Sequence, residues 1–140
     1  MGRKRFPPDD PREWLSRAHS NLALAKAVNP EVMLEDLCFD AQQAAEKAIK
    51  GVFIDRGEHF PYVHNLKKLL DLLARNGLTI PKYVLQAEDL SPFAGKMRYP
   101  NRDALVTPRE HRRAVRIATA VLRWAERQVE PPTPRSKGKK

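Results

Sequence analysis

Residues 31–55 read EVMLEDLCFDAQQAAEKAIKGVFID. Leu34, Leu37, Cys38, Ala41, Ala44, Ala45, Ala48, Ile49, Val52 and Phe53 recur at steps of three and four, the repeat of one face of an α-helix. The spacing predicts a long helix over 31–55, closed by Arg56-Gly57. Asp36, Asp40, Gln43, Lys47 and Lys50 make a second, polar stripe. It runs from acidic to basic in the direction the helix dipole favours. Glu46 and Lys50 add a favourable i,i+4 pair. Asp36, Asp40, Gln43 and Lys47 are candidate groove or interface residues. The flanking alanines permit close approach of another helix, from the same chain or from a second copy.

Helical signals continue on both sides. Asp10-Pro11-Arg12-Glu13 has the form of a helix start with a capping box, and Asn29-Pro30 is a stop. A third helix is expected over 65–76, with His64 or Asn65 as its cap and Gly77 as its end. A fourth is expected over 82–95, weakened by Pro92. Thr107-Pro108-Arg109-Glu110 opens the last helix. At about 100° per residue, Arg109, Arg112, Arg113, Arg116, Arg123 and Arg127 fall on one arc. Val115, Ala118, Val121, Leu122, Ala125 and Val129 fall on the opposite one. Such an arginine face is ordinarily solvated, although guanidinium groups also suit anion recognition. No segment alternates with a period of two. The expected fold is all-α, an up-and-down bundle of four to five antiparallel helices.

The chain has 140 residues, enough for one domain. A single cysteine excludes a disulfide framework or a thiolate-rich zinc site. No His pair has zinc spacing, and no metal or cofactor is expected. The apolar runs are too short to span a bilayer. The opening MGRKRFPPDDPR lacks the apolar core of a secretory signal, so a cytoplasmic location is expected. The net charge is +9, but residues 1–8 and 131–140 hold seven of the 26 basic residues and no acidic one. The expected organisation is a loose basic arm over 1–8, a helical domain over 9–130 and a basic, unstructured tail over 131–140.

Two further clusters are candidate sites. Phe60-Pro61-Tyr62-Val63-His64-Asn65-Leu66 leads into the third helix. Arg98-Tyr99-Pro100-Asn101-Arg102 follows the fourth. The second suits a phosphate held by Arg98 or Arg102 with a base stacked on Tyr99. It equally suits a tyrosine wedged between helices and an arginine paired with Asp36 or Asp40. Walker and dinucleotide-binding glycine motifs are absent.

The block CFDAQQAAEKAIK over 38–50, followed by His64-Asn65-Leu66 and Arg98-Tyr99-Pro100, resembles the HEPN family, whose name abbreviates higher eukaryotes and prokaryotes nucleotide-binding. The resemblance spans about residues 10–130. It implies a bundle of four or five helices, a homodimer, and partnership with a minimal nucleotidyltransferase in a two-gene, toxin–antitoxin-like system. On that basis the expected function is binding of a nucleotide or RNA phosphate. Lys47, Arg98 and Arg102 would neutralise charge, Tyr99 would stack and His64 would orient. The resemblance also implies an alternative, since some members are metal-independent ribonucleases with an R-x(4–6)-H motif near the last long helix. Here that spacing occurs only from Arg12 to His19, in the first helix. Arg102 and His111 would form a stretched version. A third alternative is a structural subunit without a ligand.

Overall fold

The computed structural model describes residues 2–95, 97, 99–100 and 105–129. These residues form helices and loops, with no strand among them. The elements are α1 (Pro11–Ala25), α2 (Leu34–Asp55), α3 (Leu66–Arg75), α4 (Lys82–Leu85), a 3₁₀ segment (Gln86–Ala94) and α5 (Pro108–Val129). None of these helices is long and apolar enough to cross a membrane.

α2 is the central element and packs most extensively against α1 and α5. The reason lies in its small side chains. Ala41, Ala44, Ala45 and Ala48 are fully buried. A β-carbon built on Gly51 would lie 3.2 Å from the Trp14 Cβ on α1. The alanine face is therefore covered within the chain and offers no surface to a second copy. Of the two packing options open to it, the intrachain one is realised. Cys38 is also fully buried. Burial, followed by the nearby carboxylates of Glu110 and Glu35, pushes its thiol up to about 12, so it is not a nucleophile at neutral pH.

The helix boundaries follow local chemistry. Asp10 caps α1 by accepting from the Arg12 amide at 2.9 Å. Asn65, not His64, caps α3 by accepting from the Lys68 amide at 3.1 Å. Thr107 and Glu110 form a reciprocal capping box at 2.8 and 3.1 Å. After α2, Gly57 adopts φ +68. The Glu58 amide then donates to Phe53 O and the Gly57 amide to Ile54 O, the Schellman pattern. Gly77, at φ +101, ends α3 in the same way.

Four expectations need correction. α1 ends at Ala25 rather than near Val28, because the Ala27 amide turns back to Leu24 O and the Val28 amide to Lys26 O. α2 begins at Leu34 rather than residue 31, because Asn29 holds the Glu31 amide with its side chain and the Val32 amide with its carbonyl. That turn uses the donors a helix start would need. The expected helix over 82–95 is α-helical only through Leu85 and then tightens to 3₁₀. Pro92 lies inside that segment, has no N–H to donate, and its ring would crowd the carbonyl of Glu88 in an α-helix. The basic arm is not loose: residues 3–8 lie against α1, held by Glu13 and Ser16.

On α5 the two arcs separate as the spacing predicts. Ala118, Val121, Leu122, Ala125 and Val129 are buried, while all six arginines are exposed. Arg113 pairs with Asp89 at 2.7 Å, and Arg127 bonds the Tyr83 hydroxyl. Asp36 is exposed on α2.

Candidate functional site

The crossing of α1 and α2 sets polar side chains from two helices against each other. Asn21 of α1 uses both ends of its amide. Its Nδ2 donates to Asp40 Oδ1 at 3.1 Å, and its Oδ1 accepts from Lys47 Nζ at 2.8 Å. Burial raises the Asp40 carboxyl above its ordinary value. Burial and then the Arg17 guanidinium hold Lys47 below the usual lysine range. The Glu46 and Asp40 carboxylates favour the charged form but only partly offset these effects. An anion placed beside Lys47 and Arg17 would favour the charged form of the lysine.

One turn further along α2 lies a buried ion pair. Lys50 Nζ meets Glu46 Oε2 at 2.8 Å, with both side chains almost fully covered. Glu46 also accepts from Gln42 Nε2 at 2.9 Å and faces His64 Nδ1 at 3.0 Å. Burial opposes ionisation of Glu46. The hydrogen bonds from Lys50 and Gln42 outweigh it, so the carboxyl lies below its ordinary value. Gln42 also reaches the His64 carbonyl at 3.2 Å, tying α2 to the start of α3. Gln43 donates to the Gln42 side chain at 2.7 Å.

Aromatic rings frame this network. Lys50 Nζ lies 5.0 Å from the Phe60 ring centroid and 6.0 Å from that of Tyr62, within cation–π range. Phe60 meets Trp14 edge-on at 5.5 Å. Tyr62 is fully exposed. A groove of about 450 Å³ is lined by Trp14, Glu46, Lys50, Phe60, Tyr62 and His64. A second groove of about 550 Å³ lies on the other side of Trp14, lined by Arg5, Phe6, Glu13, Arg17 and Lys47 among others.

The arm forms a wall of the second groove. Arg5 reaches Glu13 with two nitrogens, at 3.2 and 2.8 Å, and the Phe6 amide bonds the same carboxylate at 2.9 Å. Arg17 bonds it from α1 at 2.7 Å. The Trp14 indole N–H donates to Pro8 O at 2.7 Å. The Arg5 hydrogen bond, then the Phe6 and Arg17 bonds, lower the Glu13 carboxyl to about 2. A carboxyl depressed in the folded state stabilises that state above its unfolded value. The contribution is lost as pH falls through the folded value. The arm is therefore expected to loosen as pH drops from about 4.5 toward about 2. The Trp14 indole resonance in a ¹⁵N-correlated NMR spectrum reports it. A resonance unmoved over that window would show that Glu13 does not hold the arm.

Lys47 and His64 stand on neighbouring grooves that meet at Trp14. Tyr99 is exposed and lines neither groove. Arg98 and Arg102 lie outside the described residues. His111 is only 5% exposed, and its Nε2 bonds Ala25 O at 2.7 Å. It therefore satisfies a carbonyl at the C-terminal end of α1. Arg12 is bound to Asp10, and His19 to Glu126. Trp14, Arg17 and Asn21 were not among the candidates. They lie on α1, and no spacing within α2 reveals what a neighbouring helix presents to it.

The comparisons agree with this architecture. The HEPN domain model matches residues 11–128, and the chain belongs to the HEPN family. It is similar to the crystal structure of TT1696 from Thermus thermophilus, with 29% identity and a TM-score of 0.72, covering 84% of this chain and 97% of that one. It is also similar to ST0689, an archaeal HEPN homologue, with 25% identity and a TM-score of 0.65, covering 86% of this chain and 98% of that one. No curated protein matches the chain.

Proposed function

We propose that this HEPN domain binds nucleotide or RNA phosphate along the α1–α2 grooves. The observation that carries the reading is their meeting at Trp14. Lys47 and Arg17 stand on one side, and Phe60, Tyr62 and His64 on the other. Phosphate is neutralised at Lys47 and Arg17 while a base stacks on Tyr62 or Trp14, the division of labour common in single-strand binding. His64 orients the ligand from the rim. Relative to the sequence-based expectation, the stacking role passes from Tyr99 to these rings.

In this reading the protein acts in the cytoplasm as the homodimeric companion of a minimal nucleotidyltransferase, in a two-gene, toxin–antitoxin-like system. Family membership supports that role. The nuclease alternative through Arg102 and His111 receives less support, because His111 is enclosed and bonded to Ala25 O. Co-expression with a small nucleotidyltransferase from the same genome, followed by size-exclusion chromatography, tests the partnership.

The binding reading is tested by anisotropy with a labelled single-stranded RNA. Lys47→Ala is expected to weaken binding by about 1.5–3 kcal/mol through a lost charge-assisted bond. Tyr62→Ala is expected to remove about 1–3 kcal/mol of stacking. Tyr62 is fully exposed, so its loss is not confused with unfolding. If both variants bind as the unaltered protein does, the grooves are not the site.

A further inference from the structure

The docked arm creates a third cavity, which the α1–α2 reading touches only through residues it shares with the neighbouring groove. Glu13, Ser16, Arg17 and Ser20 share one face of α1, within about 100° of arc. The arm lays Arg3 and Arg5 over that face. Arg3 Nε donates to Ser16 Oγ at 2.7 Å, and Arg5 grips Glu13. The result is a cavity of about 520 Å³ lined by Gly2, Arg3, Arg5, Ser16, Arg17 and Ser20. Its lining is almost wholly cationic and hydroxylic. Three guanidinium groups converge there, and Glu13 is the carboxylate bonded to two of them.

The donor inventory points to one kind of ligand. Arg3 spends its Nε on Ser16, and Arg17 spends its Nε on Glu13. Their terminal nitrogens make no hydrogen bond among the described residues, and each guanidinium carries five N–H donors in a planar fork. Ser16 Oγ accepts from Arg3 and keeps its own proton to donate. Ser20 is exposed, and its hydroxyl has no partner among the described residues. Three positive charges against one carboxylate leave a net charge of two. That matches a phosphomonoester dianion better than an internal phosphodiester, which carries a single charge. Forked N–H donors and hydroxyls are also the groups that bind the three terminal oxygens of such an ester.

We propose that the cavity between the N-terminal arm and α1, formed by Arg3, Arg5, Ser16, Arg17 and Ser20, is a receptor for a terminal phosphate group. It shares Arg5 and Arg17 with the groove that holds Lys47 and Trp14. A strand held there by its terminal phosphate enters the groove from the arm side. This extension to RNA rests on the α1–α2 reading, whereas binding of the phosphate itself does not.

The test begins with the full chain and inorganic phosphate. Backbone amide shifts of Ser16, Arg17 and Ser20 are followed by NMR at constant ionic strength, with chloride as the control. Saturable shifts at these residues are expected. Arg3→Gln and Ser20→Ala are each expected to weaken them about fivefold or more. Both residues are exposed, so neither change removes core packing. Arg109→Gln on α5 removes the same charge elsewhere and is expected to have no effect. Shifts absent, equally produced by chloride, or equally weakened by Arg109→Gln overturn the site.

The source of the phosphate is read from two pairs of ligands: AMP against adenosine, and one RNA with a 5′-phosphate or a 5′-hydroxyl. A preference of about tenfold for the phosphorylated RNA is expected. If phosphate and AMP bind but RNA does not, the groove reading falls and the terminal-phosphate site stands. If RNA binds without distinguishing its ends and phosphate produces no shifts, the site falls and the groove stands.

Discussion

Replacing Glu46 with alanine is expected to destabilise the fold by about 3–5 kcal/mol, the range for breaking a buried ion pair. The Lys50 side chain is almost fully covered, and Glu46 is its counter-ion. Without that carboxylate the ammonium is left beside the Phe60 ring with no anion to hold it. A domain of this size has only about 5–15 kcal/mol in total. The single variant is therefore expected to stand near the edge of folding. Urea denaturation followed by circular dichroism measures the loss. The double variant Glu46→Leu with Lys50→Met is expected to recover most of it, because an apolar pair of similar volume removes both desolvation terms. A loss below about 1 kcal/mol in the single variant would mean that Lys50 escapes into water past Tyr62. The buried pair would then not be a fixed part of the groove floor.

That pair also shows where sequence reading reaches its limit. The i,i+4 relation of Glu46 and Lys50 is visible in the spacing, and their contact is formed. Their burial is not visible. It arises because the loop carrying Phe60, Tyr62 and His64 folds back over α2. Lys47 and His64 were recognisable as candidate ligands. Their partners were not, because Asn21 is contributed by α1 and the Glu46 contact to His64 bridges 18 positions. The arm is a sharper case. Arg3, Lys4 and Arg5 read as a loose basic segment. Glu13 read as the closing residue of a capping box. In the structure Glu13 turns away from Asp10 and gathers Arg5, Phe6 and Arg17. One carboxylate, drawn to two guanidinium groups and the Phe6 amide rather than to the amide of Asp10, converts an apparent tail into a wall of two cavities.

The helices themselves were legible because their signals are local. Alanine spacing on α2, the Thr107–Glu110 box and the glycines after α2 and α3 each act within a few residues. The errors at the start of α2 and the end of α4 have the same origin. A turn at Asn29 and a proline at 92 alter the local donor supply more strongly than the apolar repeat suggests.

The aromatic chain beneath the groove ties core packing to the site, and its inner link is Phe53. This side chain is fully buried and meets Phe60 at 5.8 Å, and Phe60 in turn meets Trp14 at 5.5 Å. Phe53→Ala is expected to destabilise the protein by about 3–5 kcal/mol, through lost apolar burial and the cavity left behind. It should also act on the groove. Phe60 loses the ring it rests on, so Trp14 loses its lateral support and the stacking platform loosens. Phe53→Leu keeps most of the volume and is expected to lose less than about 1.5 kcal/mol. RNA affinity, measured well below each variant's unfolding temperature, separates the two effects. The alanine variant should bind more weakly than the leucine variant while still folded. Equal affinity in the two would mean that Trp14 is held by its indole bond to Pro8 and the close approach of Gly51 alone, and that the Phe53–Phe60 contact serves only stability.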